Sequence, residues 1–318
     1  MAKNKKMSID MLYGSADARK SFLGLPRCKK LKKLDADVAI IGAPCATPYP
    51  SVGPYCKDAP DAIRAAVAGY GGAINHMDFD LGGPLLGDTG KKVVDCGNLK
   101  FDEADAKGNR KRIRSAVTRV LENDAVPVVI GGDDSIPIPV FQAFEDRGPF
   151  TILQIDAHID WREESEGVRL GLSSTMRRAS EMDHIENIIQ CGQRAVGSAR
   201  SSDYEDALDW GAEFFVAREL YVNGIDPVLK AIPRGANVLI TLDVDALDPS
   251  ICPAVLARAP GGMSYWQVVN LIHGVASKAN IAGFNIIELV PEQDIDGLGA
   301  LNAGRIVCNA IGTICRQG

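Results

Sequence analysis

The sequence predicts an α/β protein of three layers, α/β/α, with a central eight-stranded parallel sheet. Short runs rich in β-branched residues recur along the 318 residues, and stretches with apolar residues at i, i+3 and i+4 separate them. No internal repeat, low-complexity tract or Pro/Gly/Ser linker interrupts this rhythm. Strand-helix-strand alternation asks for parallel pairing with helices over both faces, because each crossover returns the chain to the same end of the sheet.

Residues 1–34 read as an N-terminal extension and 35–318 as a single domain, since the rhythm crosses the midpoint without a shift in composition. The extension holds the one basic cluster, Lys29, Lys30, Lys32 and Lys33, read as a solvated face to which no function is assigned. Val38 to Ile41 is the first strand, and Ala59 to Ala68 carries helical spacing. Val93 to Asp95 is a short strand, and Ala104 to Leu121 a longer amphipathic helix. Val128 to Ile130 and Thr151 to Asp156 are apolar runs that end in acids. Ile188 to Cys191, the helix Tyr204 to Trp210 and Glu213 to Val216 follow. Val238 to Asp243, the helix Ser264 to Ala276 and Ile281 to Glu288 complete the eight strands.

Composition, 46% hydrophobic and 24% charged, is that of a folded protein able to bury a large core. The net charge of −6 and pI of 5.4 argue against nucleic acid or an anionic membrane as partner, while leaving a small cation open as substrate. The first ten residues lack an apolar signal region, and no stretch approaches the ~18 uninterrupted apolar residues of a membrane helix, so a cytoplasmic protein is expected. Eight dispersed cysteines without a CxxC predict neither a disulfide framework nor a zinc knuckle, and most read as small buried hydrophobes. GxGxxG after a strand, a phosphate loop and GxSxG are all absent.

In open parallel sheets, ligands bind beyond the carboxyl ends of the strands. Three runs end there in acids: PVVIGG in Asp133, Asp134 and Ser135; ILQI in Asp156, His158 and Asp160; NVLITL in Asp243 and Asp245. Alternate residues of an extended segment point the same way, so Asp156, His158 and Asp160 are expected on one face, as are Asp243 and Asp245. Any one such aspartate is an ordinary cap or turn residue. Crowded together they repel, and a bound cation keeps them ionised. Oxygen ligands with one imidazole suit Mn2+ best, with Ni2+, Co2+ or Zn2+ as alternatives. A carboxylate bridging two metals would allow a bridging water of lowered pKa, so hydrolysis is the expected chemistry.

The ordered set GGDDS (131–135), DAHID (156–160), LDVDALDPS (242–250), APGG (259–262) and GFNIIELVP (283–291) resembles the ureohydrolases, that is arginases, agmatinases and related guanidino-acid amidinohydrolases. The resemblance runs over about residues 35 to 315, and the pieces IIGAP, DAIRAA and VDCGNL lie where agmatinase-like members have theirs. It implies two Mn2+ per chain, with Asp156 and Asp243 bridging, Asp160 on metal A, and His158 and Asp245 on metal B. It also implies that Glu288 orients the substrate guanidinium, a task suited to a carboxylate taking two parallel hydrogen bonds. Glu288, Asp160 and His158 are thus the candidate catalytic residues. A small cationic guanidino substrate and a homo-trimer or homo-hexamer are implied as partners.

Two motifs depart from the family's pattern. Asp134 stands where GGDHS would supply a histidine to metal A, making that site harder and more anionic. GLSSTMRRA (171–179) stands where an SHG-like histidine is usual, and neither Ser173 nor Ser174 shuttles protons near pH 7. His76, His184 and His273 read as structural or solvent-facing. Trp161 and Arg162 read either as the pocket mouth or as packing of their loop. Urea release from an agmatine-like compound or a guanidino acid is the leading expectation, ahead of arginine. The alternatives are a mononuclear, deacetylase-like amide hydrolase using site B alone, and a catalytically weak subunit supporting an active paralogue.

Overall fold

The computed structural model describes residues 10–13 and 21–317. Its strands are β1 (Val38–Ala43), β2 (Val93–Asn98), β3 (Val126–Gly131), β4 (Phe150–Ile155), β5 (Ile185–Cys191), β6 (Glu213–Phe215), β7 (Asn237–Asp243) and β8 (Asn280–Ile287). They pair in parallel throughout, in the order β2-β1-β3-β8-β7-β4-β5-β6. The helices are α1 (Asp10–Tyr13), α2 (Ala59–Val67), α3 (Ala106–Leu121), α4 (Pro137–Gln142), α5 (Thr175–Ala179), α6 (Ser201–Trp210), α7 (Ala217–Asn223), α8 (Asp226–Ala231), α9 (Tyr265–Ala276) and α10 (Leu298–Arg316).

Each inner strand is apolar on both sides because both faces are covered. Val38 and Ile40 of β1 enter one core with Ile63 of α2, Leu271 of α9 and Ile306 of α10. Ala39 and Ile41 enter the other with Val117 of α3, Phe141 of α4 and Ala207 of α6. The three expected layers follow from this alternation.

Caps explain where helices begin. The Asp105 carboxylate accepts from Gly108 N at 2.8 Å, so α3 starts at Ala106 rather than Ala104. Ser264 and Gln267 form a capping box, which makes Ser264 the cap of α9 and not its first residue.

No element is expected from the sequence over 298–316, yet α10 lies there. By length and composition it could cross a membrane, but 78% of it is buried, and it packs on α2 and α9 as a core helix. Its backbone approaches α2 closely at Gly304, where a Cβ would meet Val67 Cγ1 at 2.4 Å.

Part of the segment read as an extension is core: Phe22, Leu23 and Leu25 are buried. Asp95 of β2 holds it, accepting from Phe22 N at 2.7 Å and from Arg64 Nε at 2.8 Å. Residues 26–28 run along the outer side of β2, with Arg27 bridging Asp95 in parallel. The four lysines that follow are exposed, as a solvated face requires.

Candidate metal centre

The strand order brings β3, β8, β7 and β4 side by side. Parallel neighbours lie ~4.8 Å apart, so acids placed just beyond these four carboxyl ends are forced together. Asp134 follows β3 and Glu288 follows β8. Asp243 ends β7 with Asp245 just beyond it, and Asp156, His158 and Asp160 follow β4.

GGDDS makes a tight approach possible. A Cβ on Gly132 would lie 1.8 Å from Pro44 O, so the backbone can pass there only without a side chain. The two aspartates then divide. Asp133 turns away and latches the neighbouring loop, accepting from Ser135 Oγ at 2.9 Å and Cys45 Sγ at 3.3 Å. Asp134 faces the site, and both its carboxylate oxygens are buried without a hydrogen-bond partner. A buried acceptor pair left bare is costly unless something cationic meets it.

The expected residues beyond β4 and β7 converge, though by a different geometry from alternation along a strand. Asp156 lies outside β4, its Oδ1 accepting from His158 N at 2.6 Å, and Asp160 has φ 46°. Met176 N and Arg177 N of α5 donate to Asp160 O, which fixes that left-handed turn. Val244–Ala246 is a 3-10 turn in which Asp243 Oδ1 accepts from Asp245 N at 2.7 Å.

Two groups of ligand atoms result, each within 4.8 Å: Asp134, Asp156 and Asp160, and Asp156, His158 and Asp245. Asp156 is common to both. Asp243, given a bridging role by the resemblance, belongs to neither group but lines the same cavity. His158 Nδ1 lies 3.0 Å from Asp245 Oδ2 and 3.5 Å from Asp156 Oδ1.

Charge crowding is written in the proton affinities. Burial, then the neighbouring Asp160 and Asp156, raise Asp134 well above the usual carboxylate range. Burial and Asp156 do the same to Asp160, and burial and Asp245 to Asp243. Burial, then Asp245, push Asp156 up to about 6. Burial opposes the charge on His158, but the hydrogen bonds its ring donates to the Asp156 and Asp245 carboxylates carry it up to about 12. A proton shared there occupies the place of a cation, so the donor set fits a divalent metal.

Glu288 stands over this floor with φ 67°, a strained value for a non-glycine residue. Its N donates to Gly132 O at 2.7 Å, its Oε1 accepts from Asp134 N at 2.7 Å, and its Oε2 accepts from Tyr55 OH at 2.7 Å. Burial and Asp133 push its carboxyl up to about 8.

A cavity of about 200 Å³ opens above, reached by all of the expected residues except Asp156, which lies beneath its floor. Trp161 and Arg162 line it, and Trp161 is at the same time fully buried and packs on Trp210 at 5.9 Å, as the loop-packing reading expects. His76, His184 and His273 do not line it. His184 Nε2 meets Phe141 O and His273 Nε2 meets Asn309 Oδ1, both structural contacts.

A scan against family models matches residues 36–312 to the arginase family. The chain belongs to the arginase family. Its members are hydrolases acting on the carbon–nitrogen bonds of amidines. The chain is 29% identical over 315 residues to arginase 1, mitochondrial, of Arabidopsis thaliana, covering 95% of this chain and 83% of that one. It is 30% identical over 248 residues to the agmatinase of Halalkalibacterium halodurans, covering 76% and 80%. The solved proclavaminate amidino hydrolase of Streptomyces clavuligerus superposes with a TM-score of 0.79 at 25% identity, covering 94% and 97%.

Other arginase-family motifs prove to be scaffold. Asp248 of LDPS accepts from Gly261 N and Gly262 N of APGG, and Arg194 Nη2 donates to Asp245 O and Ala259 O at 2.7 Å each. Both positions read from the sequence as departures lie at the site: Asp134 and Ser173 line the cavity, while Ser174 is buried beside it. The sequence reading missed Gln154, whose Nε2 donates to Asp156 Oδ2 at 2.8 Å and Asp160 Oδ2 at 2.7 Å. Its signal was available, a polar residue inside the apolar run ILQI. Tyr55 and Cys56, both on Glu288 Oε2, lie in a loop with no such mark.

Proposed function

We propose that this chain is a metal-dependent amidinohydrolase that releases urea and an amine from a small guanidino compound, agmatine-like or a guanidino acid. The observation that carries the reading is the pair of ligand groups sharing Asp156 beneath one cavity, with Glu288 opposite. Asp134, Asp156 and Asp160 would hold one divalent cation and Asp156, His158 and Asp245 a second, with Asp243, which lines the same cavity, as a further candidate ligand. Mn2+ is the metal proposed, with Ni2+ as alternative. Bound cations supply the Lewis acidity that turns a water into a nucleophile near neutral pH.

The chain's own residues do the rest. Glu288 is pinned by Tyr55 and Asp134 N; Oε1 keeps a lone pair, and a guanidinium N–H would displace the long 3.7 Å Cys56 thiol contact from Oε2, so the carboxylate can accept two parallel N–H bonds. That cation also keeps the carboxylate ionised against its burial. Asp160, aimed by Gln154, would be the carboxylate placed to accept a proton from the water, and His158 stays fixed, its N donating to Asp156 Oδ1 and its Nδ1 lying 3.0 Å from Asp245 Oδ2. Residues 35–318 carry all the proposed site residues, with Phe22, Leu23 and Leu25 completing the core of the same domain, and the enzyme works in the cytoplasm as a homo-trimer or homo-hexamer.

Urea release by the lone chain, with agmatine and guanidino acids as trial substrates, tests this reading. Glu288→Ala and Asp156→Ala should each abolish it while circular dichroism stays unchanged; wild-type turnover in either would sink the mechanism. Acetate release from an acetylated amine would favour the mononuclear reading. No turnover without a co-purifying relative would favour the supporting subunit.

A further inference from the structure

Six of the eight cysteines are buried, and Cys28 and Cys96 alone are half-exposed. They are also neighbours. Cys28 N donates to Asp95 O at 3.0 Å and Asp95 N donates to Pro26 O at 2.9 Å, the parallel pattern in which Arg27 bridges Asp95. The next residue on each strand is therefore Cys28 on one side and Cys96 on the other, in register. Both side chains pack toward the same core, on the side of α3, together with Leu31 and Leu99. Burial, then the nearby Cys28, push the Cys96 thiol up to about 12. Adjacent parallel strands lie ~4.8 Å apart, inside the ~4.4–6.8 Å Cα span that a disulfide bridges without moving the backbone.

We propose that Cys28 and Cys96 are a peroxide-responsive thiol pair that closes into a reversible disulfide, stapling the 21–34 segment to the edge strand β2. The Cys28 thiolate attacks one peroxide oxygen, the O–O bond breaks, the other oxygen leaves as hydroxide and takes up a proton from solvent as water, and Cys28 becomes a sulfenic acid. The Cys96 thiol then attacks that sulfur, the S–O bond breaks, and the Cys96 proton leaves with the hydroxyl as water. A small dithiol reverses the bond. Nothing in this depends on the proposed metal centre.

The test treats the full-length protein with hydrogen peroxide, alkylates the remaining thiols and maps the non-reduced peptides by mass spectrometry. A linked peptide joining Cys28 to Cys96, the loss of two of the eight free thiols and their recovery with dithiothreitol are expected. The oxidised form should melt ~5 °C above the reduced form, because the bond closes a long loop. Cys28→Ser and Cys96→Ser should each remove both the link and the rise. Oxidation of Cys28 to sulfinic acid with Cys96 still free, a link between two copies, or two unreacted thiols would each overturn the proposal.

Discussion

At the scale of single residues, Asp134 stands where the sequence reading expects a histidine. Its two carboxylate oxygens are buried and bare, within reach of Asp156 and Asp160. If they hold a cation, Asp134→Ala should lower metal from about two equivalents per chain to about one, by elemental analysis of Mn2+-grown protein. Two equivalents in the variant would remove Asp134 from the ligand set. The aspartates and His158 were legible in the sequence because their spacing, DxHxD and DxD, is unusual after apolar runs. They come together for a reason that spacing does not contain: Asp160 reaches the site through a left-handed turn, and Asp245 through a 3-10 turn. Glu288 was legible only through resemblance. Tyr55 was illegible, since its partner is remote in sequence and is brought to it by the sheet.

Strands and helices were legible to different degrees. The inner strands announce themselves because a sheet covered on both faces needs unbroken apolar runs, and the edge strands β2 and β6 by shorter runs rich in β-branched or aromatic residues. The helices α2, α3, α6 and α9 were legible from their apolar spacing, whereas α4, α5, α7 and α8, of five to seven residues, are too short to display a period, and α10 was passed over although its apolar residues repeat at helical spacing. Its contact with α2 makes a sharp prediction. Gly304→Val would place side-chain atoms onto Val67, whose Cγ1 is 2.4 Å from even a Cβ, and should cost ~2–3 kcal/mol. Chemical denaturation would measure it, and an unchanged midpoint would mean that α10 can move aside.

For the whole molecule, the strand order concentrates negative charge at one end of the sheet, and that charge opposes folding. Asp156 and Glu288 hold protons up to about 6 and about 8, whereas unfolded carboxyls lose theirs near ~4. Asp134, Asp160 and Asp243 are shifted in the same direction, and His158, raised to about 12, keeps the sign above ~6.5. The folded chain thus binds more protons than the unfolded chain across this window. Stability from these groups is present below about pH 4 and declines as pH rises. Metal-stripped protein should melt at a higher temperature at pH 5.5 than at pH 8, and Mn2+ should restore the loss at pH 8. A melting temperature that rises between those pH values without metal would contradict the crowding.

The strip at residues 26–28 lies on the outer side of β2, which is the last strand of the sheet on that side. An uncovered last strand offers a row of unsatisfied N–H and C=O groups to any passing chain. The segment is therefore a guard against self-association as well as a part of the core. A chain shortened to begin at residue 35 would retain every proposed ligand, yet it should go into inclusion bodies or large soluble aggregates, as light scattering would detect. A monodisperse, active product would show that the edge protects itself.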